Sequence, residues 1–104
     1  QKKLIKKLEG EKPSYYKDPI MQYIPYSTLE YSIEPNFTPS IYDTDEDKEV
    51  YILTIDIKVY LSAVDIDEGE DVVSQRYLKQ AKNYIRSKGL NPDKYEINFY
   101  IERT

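Results

Sequence analysis

Carboxylates, amines and phenols are the only side chains from which this sequence can build chemistry. It holds 19 acidic residues, 15 lysines and arginines and 12 tyrosines, with no cysteine and no histidine. That removes the thiol nucleophile, the zinc knuckle, the iron–sulfur centre and the disulfide scaffold. It also removes the usual general base near neutral pH and the commonest transition-metal ligand. Asp43-Thr44-Asp45-Glu46-Asp47 opens like a calcium loop, with acids at the first, third and fifth positions. The rest of that pattern fails, because Lys48 stands where the loop needs glycine and Thr54 where it needs glutamate. A second run, Asp65 to Asp71, places Arg76 at its twelfth position. Both runs read as solvated charge and as acids favouring a helix start, so no metal site is expected.

Two carboxylate pairs, Glu96 with Glu102 and Asp56 with Glu30, have the residue types for acid–base work of the glycosidase kind. Such work needs a cleft, and a small domain with one covered sheet offers little room for one. There is no Gly-x-Ser-x-Gly, no Ser-x-x-Lys and no nucleotide fingerprint. The expectation is a non-enzymatic chain with no catalytic residue and no cofactor. Arg76, Lys79, Lys82 and Arg86 gather on one helix face and would suit an anion. Against this stand a pI of about 4.9 and the lack of a glycine-rich loop, so the face reads as solvated and no nucleic-acid partner is expected. Tyrosine is the richest contact material. Tyr31, Tyr51, Tyr77, Tyr84 and Tyr95 fall on apolar faces and are assigned to the core. Tyr15, Tyr16, Tyr23 and Tyr26 fall in a proline-rich extended segment, and Tyr60 and Tyr100 on the open side of a sheet. These six are the candidate partner contacts, since a phenol offers rigid area and a polar tip.

The elements that would position them follow from periodicity. Three strands alternate at period two, at about 27–34, 49–62 and 94–102. In the longest, Tyr51, Leu53, Ile55, Ile57, Val59 and Leu61 share one face. The strands are apolar on one side and mostly wet on the other, as in a sheet covered on a single face. One amphipathic helix over 71–88 supplies the cover, with Asp71 as N-cap. Gly89 is placed at C′, and Ile85 and Leu90 are the pair that should meet in a Schellman motif. Leu4, Ile5 and Leu8 suggest a possible short N-terminal helix, stopped by Gly10 and Pro13. The predicted fold is a two-layer α+β sandwich, one helix on a three-stranded mixed or antiparallel sheet. Whether the third strand neighbours the second, in parallel, or the first, in antiparallel, stays open at this point.

At 104 residues the chain suits one domain, read as 27–104, with 1–26 as an extended tether. Charge is polarised along it: +3 over 1–12, −2 over 13–41, −9 over 42–71 and +4 over 72–104, summing to −4. No stretch approaches the ~18 apolar residues of a membrane span. The bias toward lysine, isoleucine and tyrosine points to an AT-rich bacterial genome. A start at Gln1 in a lysine-rich amphipathic segment reads as a chain trimmed behind a signal or membrane anchor. The leading expectation is therefore an extracytoplasmic interaction domain of a small envelope protein or lipoprotein, meeting a protein partner. The alternative is a cytoplasmic or phage-encoded acidic inhibitor that mimics a phosphate track, and a third reading is self-association through the edge of the last strand.

Overall fold

A computed structural model describes residues 2–7, 17–37, 40–44 and 49–104, with side chains over 17–37 and 52–104. In chain order the elements are β1 (Lys2–Lys7), β2 (Tyr26–Ser27), β3 (Tyr31–Pro35), β4 (Ser40–Thr44) and β5 (Glu49–Ile52). They continue with β6 (Thr54–Leu61), α1 (Ala63–Ser87) and β7 (Glu96–Arg103). The centre is a four-stranded mixed sheet in the order β2-β3-β6-β7. The long helix, α1, packs on one face of it, a two-layer α+β arrangement.

β6 is the keel. Its alternation buries Ile55, Ile57, Val59 and Leu61 completely and turns Asp56, Lys58 and Tyr60 to the other face. β3 runs antiparallel beside it, Ile33 opposite Ile57. β7 runs parallel on the other side, Ile97 opposite Ile55 and Phe99 opposite Ile57. The last strand thus neighbours β6, and α1 is the crossover that a parallel pair requires. From α1, Val73, Ala81 and Ile85 descend onto this apolar face.

The long strand expected over 49–62 divides at Leu53: β5 pairs with β4, whereas β6 belongs to the main sheet. The strand expected over 27–34 also divides. The Thr28 hydroxyl accepts the N–H groups of Glu30 and Tyr31, both at 3.1 Å, and turns the chain between β2 and β3. Leu29, which the period-two alternation would set on the same apolar face as Tyr31 and Ile33, is consequently 92% exposed. The N-terminal helix is not formed. Residues 2–7 are β1, paired antiparallel with β4, while residues 8–12 of that expected helix lie outside the described residues. A helix of this length has too few internal bonds to offset nucleation, and a strand partner satisfies the backbone instead. β1, β4 and β5 form a separate three-stranded sheet.

The helix starts eight residues earlier than expected. Ser62 is its N-cap: Ser62 Oγ accepts from Asp65 N at 3.2 Å and Asp65 Oδ2 accepts from Ser62 N at 2.9 Å, a reciprocal capping box. Gly69 then interrupts it at φ 140°, ψ 104°, a conformation open to glycine. The expected 71–88 helix is the segment beyond that break. Its end follows the Schellman pattern, with Gly89 N–H on the Arg86 carbonyl (2.9 Å) and Leu90 N–H on the Ile85 carbonyl (3.4 Å).

Residues 18–26 are not a tether. Ile20 and Ile24 are buried in the core beside Ile33, Ile57 and Ile85. The Tyr95 hydroxyl donates to Asp18 Oδ1 at 2.7 Å, and Asp18 in turn caps the 3-10 turn Pro19–Gln22 by accepting from Ile20 N at 2.9 Å. Burial, then this bond to Asp18, pushes the Tyr95 phenol far above its ordinary range. The prolines exclude a regular helix here, but the isoleucines between them have apolar surface to bury.

Candidate functional site

The face of the main sheet opposite α1 carries the polar halves of β3, β6 and β7. Among the described residues, no element covers it. Its centre is a depression of about 250 Å³ lined by Ser32, Glu34, Asp56, Lys58 and Tyr100. Strand register sets this composition. Antiparallel β3 places Glu34 directly opposite Asp56 and Ser32 opposite Lys58. Parallel β7 places Asn98 beside Asp56 and Tyr100 beside Lys58.

Asp56 is held at both oxygens. Asn36 Nδ2 donates to Oδ1 at 3.1 Å and to Oδ2 at 3.2 Å, and Asn98 Nδ2 donates to Oδ1 at 3.1 Å. These donors are neutral, so they fix the carboxylate without cancelling its charge. The local cation, Lys58, is engaged with Glu102 at 3.5 Å. Among the described residues neither Glu34 nor Asp56 has an ion-pair partner. Two like charges directly opposite on neighbouring strands are unfavourable in themselves. Tyr60 closes one end, its hydroxyl donating to Ser32 Oγ at 3.1 Å. Tyr100 stands at the β7 side, 47% exposed. The arrangement can accept a cation that brings its own hydrogen-bond donors, with a phenol ring alongside.

A wider hollow of about 560 Å³ lies at the end of β6, lined by Thr28, Leu29, Glu30, Tyr60, Ser62, Asp65, Tyr77 and Thr104. Its polar groups have structural duties. Asp65 bonds Ser62 N and accepts from the Tyr77 hydroxyl at 3.1 Å. The Ser62 backbone N–H is the main cause holding the Asp65 carboxyl below its ordinary value. Desolvation, then Asp65, raises the Tyr77 phenol.

The structure brings Tyr60 and Tyr100 onto the open face and sends two other candidates elsewhere. Tyr26 stacks on Tyr84 with ring centroids 3.9 Å apart and planes at 7°. Tyr23 accepts the Tyr84 hydroxyl at its carbonyl (3.0 Å), and its ring lies 5.5 Å from the Lys88 ammonium. Both belong to a ring cluster at the end of α1. Tyr15 and Tyr16, and the side chain of Tyr51, lie outside the described residues. Tyr31 is buried, and Tyr77, Tyr84 and Tyr95 pack half-buried against the core.

The carboxylate pairs do not form as the sequence suggests. Glu96 and Glu102 stand six residues apart on one strand, roughly 20 Å at the usual rise. The neighbour of Asp56 is Glu34, because Glu30 lies at the far end of β3, where its carbonyl accepts from Tyr60 N at 2.9 Å. Of the acids in 65–71, Asp65 caps the helix, Glu68 pairs with Arg76 and Glu70 with Arg103. Among the described residues no three carboxylates gather as a metal site, and no helix is long and apolar enough to cross a membrane. The side chains of the Asp43–Asp47 run lie outside the described residues. Asn36 and Asn98 escaped sequence reasoning. Asn98 is visible on the wet side of its strand, but only the register shows that it meets Asp56. No family, no curated protein and no solved structure matches this chain.

Proposed function

We propose that this chain is a non-enzymatic interaction domain whose uncovered sheet face receives a basic side chain of a protein partner. The observation that carries the reading is the opposition of Glu34 and Asp56, with no ion-pair partner for either among the described residues. A guanidinium answers each feature of the site. Its fork can take two carboxylates with directed N–H donors, and its plane can lie on the Tyr100 ring. Asp56 is preorganised by Asn36 and Asn98, which lowers the ordering cost of binding. A non-enzymatic role is supported by the lack of histidine and cysteine in the sequence and by the openness of a face that no described element covers to exclude water.

An NMR titration with an arginine-containing peptide tests this reading. Expected are shifts centred on Glu34, Asp56, Lys58 and Tyr100, and affinity at least about tenfold weaker in Asp56→Asn, since the variant removes the preorganised one of the two carboxylates. Equal perturbation of the acidic start of α1 would reduce the effect to diffuse charge and refute a site on the sheet.

A further inference from the structure

The two edges of the main sheet are unlike. At β2 the edge is two residues long and follows Pro25, which has no N–H to offer a neighbour. At β7 the edge is eight residues long, keeps unbroken register with β6, and contains no proline, glycine or lysine. Its middle, Ile97-Asn98-Phe99-Tyr100-Ile101, is uncharged. Such an edge is a template for another strand unless something blunts it.

The direction of the free groups can be read from the ladder. Glu96 donates its N–H to the Leu53 carbonyl and Thr104 donates to Leu61, both at 2.8 Å. In a parallel pair the even-numbered residues of β7 therefore bond β6, and Ile97, Phe99, Ile101 and Arg103 turn their N–H and C=O outward. Among the described residues no strand lies beyond them. Apolar cover runs short on the same side. The body of α1 lies over β6 and β3, leaving Ile101 37% exposed and Phe99 half-buried on the helix side of β7.

We propose that two copies of this chain associate by antiparallel pairing of their β7 strands, with Tyr100 facing Tyr100 across a two-fold axis. Charge and bond geometry choose that register. It joins 97 to 103 and 99 to 101, each twice by symmetry, so that four hydrogen-bonded pairs use only outward-facing groups. On the open face it sets Asn98 against Glu102, an amide against a carboxylate. A ladder centred on Phe99 sets Glu96 against Glu102 twice, and its outer pairs need the Tyr95 N–H, already given to the Pro92 carbonyl at 3.2 Å. A ladder centred on Ile101 loses one pair. The chosen register also lays Phe99 of one copy against Ile101 of the other, covering the apolar strip that α1 leaves open. A second copy is favoured over an unrelated strand because β7 complements itself in length, charge and apolar pattern.

This inference is independent of the basic-partner reading, since it is measured on the protein alone. Sedimentation equilibrium of the full chain should show a monomer–dimer equilibrium. Tyr100→Glu places like charges across the axis while setting an acid beside Lys58 within each copy. It should raise the dissociation constant at least tenfold with the circular dichroism spectrum unchanged. An equimolar mixture of Tyr100→Glu and Tyr100→Lys should restore the dimer. Because the chain has no cysteine, Tyr100→Cys should form an intermolecular disulfide in mild oxidant and Asn98→Cys should not. A monomer at every concentration, a dimer indifferent to Tyr100→Glu, or equal cross-linking at both positions would overturn the proposal.

Discussion

Asp56 shows how one carboxylate can be held firmly and still be left charged. Two amides orient it, but neither supplies positive charge, and Glu34 opposite adds repulsion. If that repulsion is a standing cost in the free protein, Glu34→Gln should stabilise it by about 0.2–1 kcal/mol, read as a raised midpoint in urea with an unchanged slope. The same variant should bind a basic peptide more weakly, so stability and binding should move in opposite directions. A drop in stability would mean that Glu34 has a favourable partner. Little of this site is readable without register. The alternation of β6 shows that Asp56 faces solvent, but which residue lies opposite depends on where β3 begins, and Thr28 sets that through two hydrogen bonds.

Elements declared themselves in proportion to how local their causes are. The C-terminal end of α1 is written in Ile85, Gly89 and Leu90, neighbours in sequence, and forms as expected. The start is equally local, in Ser62-Ala63-Val64-Asp65, but is masked by Gly69, which makes the stretch before it look like a loop. β1 could not be read as a strand because its partner lies far along the chain. The capping box carries a pH signature. The Asp65 carboxyl is held below its ordinary value of 3.8, chiefly by the Ser62 N–H. A carboxyl of lower pKa in the folded state stabilises above its unfolded value, and that contribution disappears as pH falls through the folded value. Thermal melts of Asp65→Asn should lie below those of the native sequence at neutral pH. The gap should hold down to about pH 5 and shrink below 3.8. A gap constant across the acid range would show that the cap acts without its charge.

The domain is larger than its strand pattern implies, because the segment before β2 fills the space beneath the helix end. Ile20 is 1% exposed and contacts a core drawn from β3, β6 and α1. Ile20→Ala should cost about 2–5 kcal/mol in chemical denaturation, the range for an aliphatic cavity in a packed core. A loss under about 0.5 kcal/mol is what a surface position would give. The parallel neighbours β6 and β7 have a consequence for kinetics. Thr54 pairs with Glu96, so the ladder joins positions 42 residues apart (96 − 54), whereas the β2–β3 turn and α1 are made of short-range contacts. Distant pairings follow local ones because chain closure loses entropy before any contact repays it. The carboxyl-terminal strand should acquire amide protection after α1 and the β2–β3 turn when the unfolded chain is returned to water, as pulse labelling during refolding would show. Until it docks, Ile55 and Ile57 border an open flank, which makes that interval the time of greatest exposure to aggregation.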